Sequence, residues 1–125
     1  MPDRVTRIVL IPRHTALYGT VPHVGAPVNV RRFGSSIITA WRSKGMGLPG
    51  SQASAAFQLQ QSMDMVIWEN VDASFSPPAE QETPVTRDLD FEWIRLVATI
   101  SGANPGTTCW AVGHFLAREG ILGGE

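Results

Sequence analysis

The side chains with chemistry to offer are few, and their spacing does not suit catalysis. His14, His23 and His114 stand far apart, and there is no His-x-His, His-Glu-x-x-His or Cys-x-x-Cys to bring ligands to one side of a metal. Cys109 is the only cysteine, so no internal disulfide exists. It precedes His114 by five residues within one strand-like run, and an odd offset in a strand sends two side chains to opposite faces. That geometry argues against a Cys–His nucleophile pair. Beside Ala111 and Gly113, Cys109 reads as a small buried apolar residue. The glycines of Gly45-Met-Gly-Leu-Pro-Gly50 are not followed by Lys-Ser/Thr, so they do not make a phosphate loop. Asp88 and Asp90 lie in a polar turn, where a solvated role is the expectation and calcium ligation the alternative. No catalytic set, cofactor or metal is expected.

Tryptophan and arginine are more informative. Trp41, Trp68, Trp93 and Trp110 each fall within a strand candidate. Indoles in strands serve as packing area, or as a platform for sugars or bases if two or three share an exposed face. Trp93 is the best candidate for exposure: with Arg95 it lies opposite the apolar face of Ile94, Leu96 and Ile100. The net charge of −1 hides a division. Residues 1–44 carry seven cations against Asp3 alone, whereas residues 45–125 carry three cations against ten acids. Such a chain either presents a bipolar docking surface or cancels its charges locally in the fold, and local cancellation is the expectation. Nine of the ten cations are Arg, which pairs with carboxylates in planar, bidentate fashion. A pI of about 6.3 speaks against nucleic acid as the partner, even with Arg31 and Arg32 beside Phe33.

The elements that must position these groups read as strands. Val5–Ile11 is β-branched and apolar, with Pro12 expected to end it. Tyr18–Pro27 is a loop or irregular edge. Val28–Phe33 alternates, with Gly34 expected to break it, and Ser36–Arg42 follows. Ser54–Ser62 places Ala55, Phe57 and Leu59 on one face and glutamines on the other. Val66–Val71 is a short strand around Trp68. Ser74–Pro84, with three prolines, is an exposed connection, its prolines lying between strands. Asp90–Ser101 and Thr107–Ala117 complete the set. Only Gln58–Met65 and Leu116–Leu122 have any helical reading.

About seven short strands in 125 residues predict an all-β, antiparallel β-sandwich, jelly-roll-like, as a single domain over 1–125, with 1–4 and 120–125 as flexible arms. No apolar run is long enough for a membrane span, and Met-Pro-Asp-Arg does not read as a signal peptide. A soluble protein of a reducing compartment is expected.

The segment Gln60-Gln-Ser-Met-Asp-Met-Val-Ile-Trp68, followed by Trp93-Ile-Arg-Leu-Val, resembles the hairpin and strand pattern of galactose-binding-like jelly rolls, with Met65 where that family has glycine. The whole chain, with runs such as Trp93–Ile100 and Thr107–Phe115, resembles small β-rich virion proteins of tailed bacteriophages. That resemblance implies a non-enzymatic capsid decoration (cement) protein, located in the virion. It implies the major capsid protein as partner and a homo-oligomer, with a trimer favoured. Arg4, Arg7, Arg13, Arg31, Arg32, Trp93 and Arg95 are the expected partner contacts. The alternatives are a carbohydrate-binding module of jelly-roll type and a phage tail or neck component.

Overall fold

A computed structural model describes residues 5–44, 54–102 and 106–117. Nine strands run in chain order: β1 Val5–Tyr18, β2 His23–Val24, β3 Val28–Asn29, β4 Phe33–Arg42, β5 Ser54–Ser62, β6 Glu69–Asn70, β7 Thr83–Asp88, β8 Trp93–Ser101 and β9 Gly106–Ala117. No helix occurs among the described residues, so both helical readings fail where they can be checked: Gln58–Ser62 and Leu116–Ala117 are strand.

The pairing is nested. β1 pairs with β9, β2 and β3 with β8, β4 with β7, and β5 with β6, all antiparallel. This is one long hairpin, and rolling it up adds the β4–β9 and β5–β8 contacts. The result is a β1-β9-β4-β7 sheet facing a β2-β8-β5-β6 sheet, with β3 also on β8, which is a jelly-roll sandwich. The period-2 pattern explains why it closes. Ala55, Phe57 and Leu59 from β5 and Ile94, Leu96, Ala98 and Ile100 from β8 are all buried. Ile38, Ala40, Cys109, Ala111 and Phe115 meet them from the first sheet. Phe33 packs on Phe115 with ring centroids 5.5 Å apart, and Phe57 on Phe75 at 5.7 Å.

Several boundaries differ from expectation. Pro12 does not end β1. The strand runs on to Tyr18 through two irregularities in its pairing with β9, one between Val9 and Ile11 and one between Ile11 and Thr15. β1 is a sheet edge, where a proline lacking an N–H is tolerated at a bulge. Gly34 does not end the strand: it lies inside β4, at an irregularity in the pairing with β9 between Phe33 and Ser35. The expected Val28–Phe33 strand is only Val28–Asn29, because Phe33 N–H donates to the Val30 carbonyl at 2.9 Å and closes a turn. Val66–Val71 shrinks to Glu69–Asn70. Pro84 sits within β7, an edge strand missed by treating residues 74–84 as a connection. That connection is not wholly exposed either. Pro77 is buried, and Phe75 bridges to Phe57. The Gly45–Gly50 loop, the 1–4 and 120–125 arms and Arg4 lie outside the described residues.

Candidate interaction surfaces

The expected contact residues fall on three separate surfaces. Arg7 and Arg13 lie on the outside of the β1-β9-β4-β7 sheet, Trp93 and Arg95 on the outside of the other. Arg31 and Arg32 are the two central residues of the Val30–Phe33 turn. They do not form one patch. Cys109 and His114 point to opposite faces of β9, as the offset requires: Cys109 is buried in the core and its thiol is pushed up to about 11 by desolvation. Among the described residues no three His, Cys, Asp or Glu gather where they could hold a metal ion.

The first outer face is laid out by register. Trp41 lies opposite Trp110, Thr39 opposite Val112, and Ile37 opposite His114. On the β1 side Arg7 is opposite His114 and Val9 opposite Val112. The two indoles are near-parallel, at 14° with centroids 6.5 Å apart. The second β1 irregularity decides what covers them. Thr15 Oγ1 donates to the Pro12 carbonyl at 2.6 Å, and His14 adopts a left-handed φ of 64°. This bulge re-aims the chain and sets the Arg13 guanidinium 4.4 Å from the Trp110 ring centroid. Two adjoining depressions, of about 160 and 210 Å³, share Arg13, Glu82 and Trp110 in their walls.

On the second outer face Arg95 lies 4.3 Å from the Trp68 ring centroid. Its Nε donates to Gln60 Oε1 at 2.8 Å, and Gln60 Nε2 donates to Asn70 Oδ1 at 3.1 Å. Arg95 is thus engaged within the chain. Trp93 is half-buried rather than open. Each outer face carries two indoles with one under an arginine, so neither is a bare aromatic platform.

The third surface is an end of the sandwich that sequence reasoning missed. Ser62 and Asp64 build the turn of the hairpin that Gln60–Trp68 resembles. Ser62 Oγ accepts from Asp64 N and Met65 N at 3.2 and 2.9 Å, and Asp64 Oδ1 accepts from Val66 N and Ile67 N at 2.9 and 3.1 Å. Those two backbone N–H groups, then the Ser62 hydroxyl, hold the Asp64 carboxyl below its ordinary pKa. Met65 takes a left-handed φ of 62°, which explains glycine as the resembled family's residue there. The turn holds apolar side chains out into water: Met63 is 70% exposed, Val66 77% and Ile67 76%. Beside it Arg31, Met63, Asp90, Phe91 and Glu92 line a depression of about 370 Å³. Arg31 thus shares a depression with two acids from later in the chain without closing an ion pair to either. The available signal was an apolar run placed directly after an S-x-D turn, where turns are ordinarily polar.

No protein family matches this chain, and no curated protein matches it. Solved structures do. The structure of infectious bursal disease virus Gx strain aligns over 95% of this chain with a TM-score of 0.56 and 13% identity. The VP2 subviral particle of the same virus aligns over 97%, at 0.55 and 14%. The chain spans about a third of those capsid chains, 34% in each case. A family 29 carbohydrate binding module covers 90% of both chains at a TM-score of 0.41, too loose a likeness to argue from. At such identities the likeness is one of fold, and the fold it supports is the antiparallel jelly-roll sandwich.

Proposed function

We propose that this chain is a non-enzymatic structural protein of a virus particle: a decoration protein of a bacteriophage that seats on the outer capsid and steadies it. The observation that carries the proposal is the apolar tip Met63–Ile67, held out by a hydrogen-bonded turn. Large apolar side chains clustered in solvent mark a contact surface, and a turn already fixed loses little entropy on docking. Arg31 and Arg32, in the turn beside this tip, pair with acidic groups of the shell. Arg4, Arg7, Arg13, Trp93 and Arg95 are further candidate contacts. The fold likeness to chains of infectious bursal disease virus particles supports a virion setting. The partner is the major capsid protein, and the protein assembles with copies of itself. A trimer was expected from sequence, and the mass of the purified protein decides the number.

The test is the composition of purified particles. The expected result is this chain at a copy number comparable to the major capsid protein, lost from particles when Val66→Asp and Ile67→Asp are combined. Absence from particles overturns the proposal. So does a handful of copies, as for a tail or neck component.

A further inference from the structure

No described element packs on the outer face of the β1-β9-β4-β7 sheet, and its composition changes systematically across the strands. The β1 edge carries Arg7 and Arg13, whereas the far edge carries the exposed Asp88 of β7 and Glu82 just before it. Between them run Trp110, only 8% exposed beneath Arg13, and the half-buried Trp41, with Val9 47% and Ile37 40% exposed. Among the described residues the one ion pair is Arg87–Asp72: Arg13 and Glu82 line the same depressions of one copy without closing an ion pair there.

We infer that this face binds a second copy of itself, sheet against sheet, about a two-fold axis parallel to the strands. Such an axis reverses the strand order and keeps the level along the strands. β1 of one copy then lies over β7 of the other. Arg13, Trp110 and Trp41 share one level, and Glu82 lines the same depression as Trp41. The rotation therefore sets Arg13, lying over its own Trp110, against the partner's Glu82 and Trp41. Each contact occurs twice, as an isologous interface requires. Arg7 reaches the partner's Asp88 on the diagonal. The alternative axis, perpendicular to the strands in the same plane, lays arginine over arginine and acid over acid, which like-charge repulsion opposes.

Size is consistent with a specific but modest association. Four strands about 4.8 Å apart over about nine residues give a face of roughly 500 Å² per copy. The total of roughly 1,000 Å² sits near the lower bound for a specific interface. The pair is therefore concentration-dependent. It needs no capsid partner, so failure of the particle test above leaves it standing, and its own failure leaves the particle reading standing.

The experiment is sedimentation of the full chain from about 1 μM to about 1 mM. The expected species is twice 13.6 kDa. Arg13→Glu and Glu82→Arg should each weaken the dimer at least tenfold, and the two together should restore it. Because Arg13 also packs on Trp110, Ile37→Glu provides an independent break at an exposed central position. A monomer throughout the range overturns the inference. A trimer indifferent to Ile37→Glu does so too, as does a double swap no stronger than the single variants.

Discussion

The two outer faces use the same pair of residue types and reach opposite ends. Arg95 over Trp68 and Arg13 over Trp110 have nearly equal geometry, 4.3 and 4.4 Å. Arg95, however, sits in a regular strand and is tied through Gln60 to Asn70. Arg13 sits on a bulge of an edge strand, and among the described residues no hydrogen bond holds its guanidinium. The first arrangement consumes the charge internally. The second leaves it facing outward beside an aromatic floor. A cation over an indole is therefore a packing device or a docking device according to what else the cation must satisfy.

The largest effect should come from beneath the Arg13 face. A Cβ on Gly113 would lie 2.4 Å from the Phe115 ring, which is itself fully buried. Gly113→Ala should cost about 1–3 kcal/mol by overpacking, read by urea unfolding. If it is neutral, the Phe115 ring has more room beneath the first sheet than the Gly113 contact allows.

Next come the arginines. Arg95→Ala loses both the ring contact and the link to Gln60, and should destabilise by about 1.5–2 kcal/mol. Arg13→Ala should cost about 0.5–1 kcal/mol, the value for an exposed ring contact alone. Equal losses would erase the distinction between the faces.

Met65→Gly should then stabilise the chain by up to about 1 kcal/mol, because glycine accepts the left-handed φ at no steric cost. Thermal unfolding measures it, and a loss of stability would contradict the turn. The Asp64 carboxyl of the same turn is held low. Its contribution is present above the ordinary carboxylate pKa and fades as pH falls through the lowered value. The protection of the Val66 and Ile67 amides against exchange, relative to their intrinsic rate at each pH, should fall only in that acid range.

The smallest effect is at Cys109. Its thiol, pushed up to about 11, contributes stability that is complete below the ordinary value of 9.0 and is lost as pH rises through about 11. At neutral pH a thiol reagent should label it only after unfolding. A comparable check applies to the indoles: with Trp110 and Trp68 each under an arginine, sugars should leave the tryptophan fluorescence unchanged. A saccharide-dependent shift would favour the carbohydrate-binding alternative.

Sequence reasoning located what period-2 alternation can reveal. The β5 and β8 core faces, the Ser62–Asp64 turn and the opposition of Cys109 to His114 were all legible, since each is settled within one strand or one turn. Pro12 and Pro84 were misread because proline was treated as a strand breaker, and only the sheet order shows that β1 and β7 are edges where its missing N–H costs little. The apolar tip was hidden because Val66 and Ile67 have strand-forming side chains, and only the Ser62–Asp64 hydrogen bonds turn them outward.

The local pattern of apolar and polar residues by itself determined an all-β chain, its main core strands and the absence of an internal disulfide, because these depend on near neighbours. Which strands became edges, which arginine was consumed and which was left free, and which acids met which cations depended on pairings between residues far apart in the chain. Nesting β1 on β9 and β4 on β7 placed the arginines at one edge of a sheet and the acids at the other. That arrangement exists only after the long hairpin has rolled up.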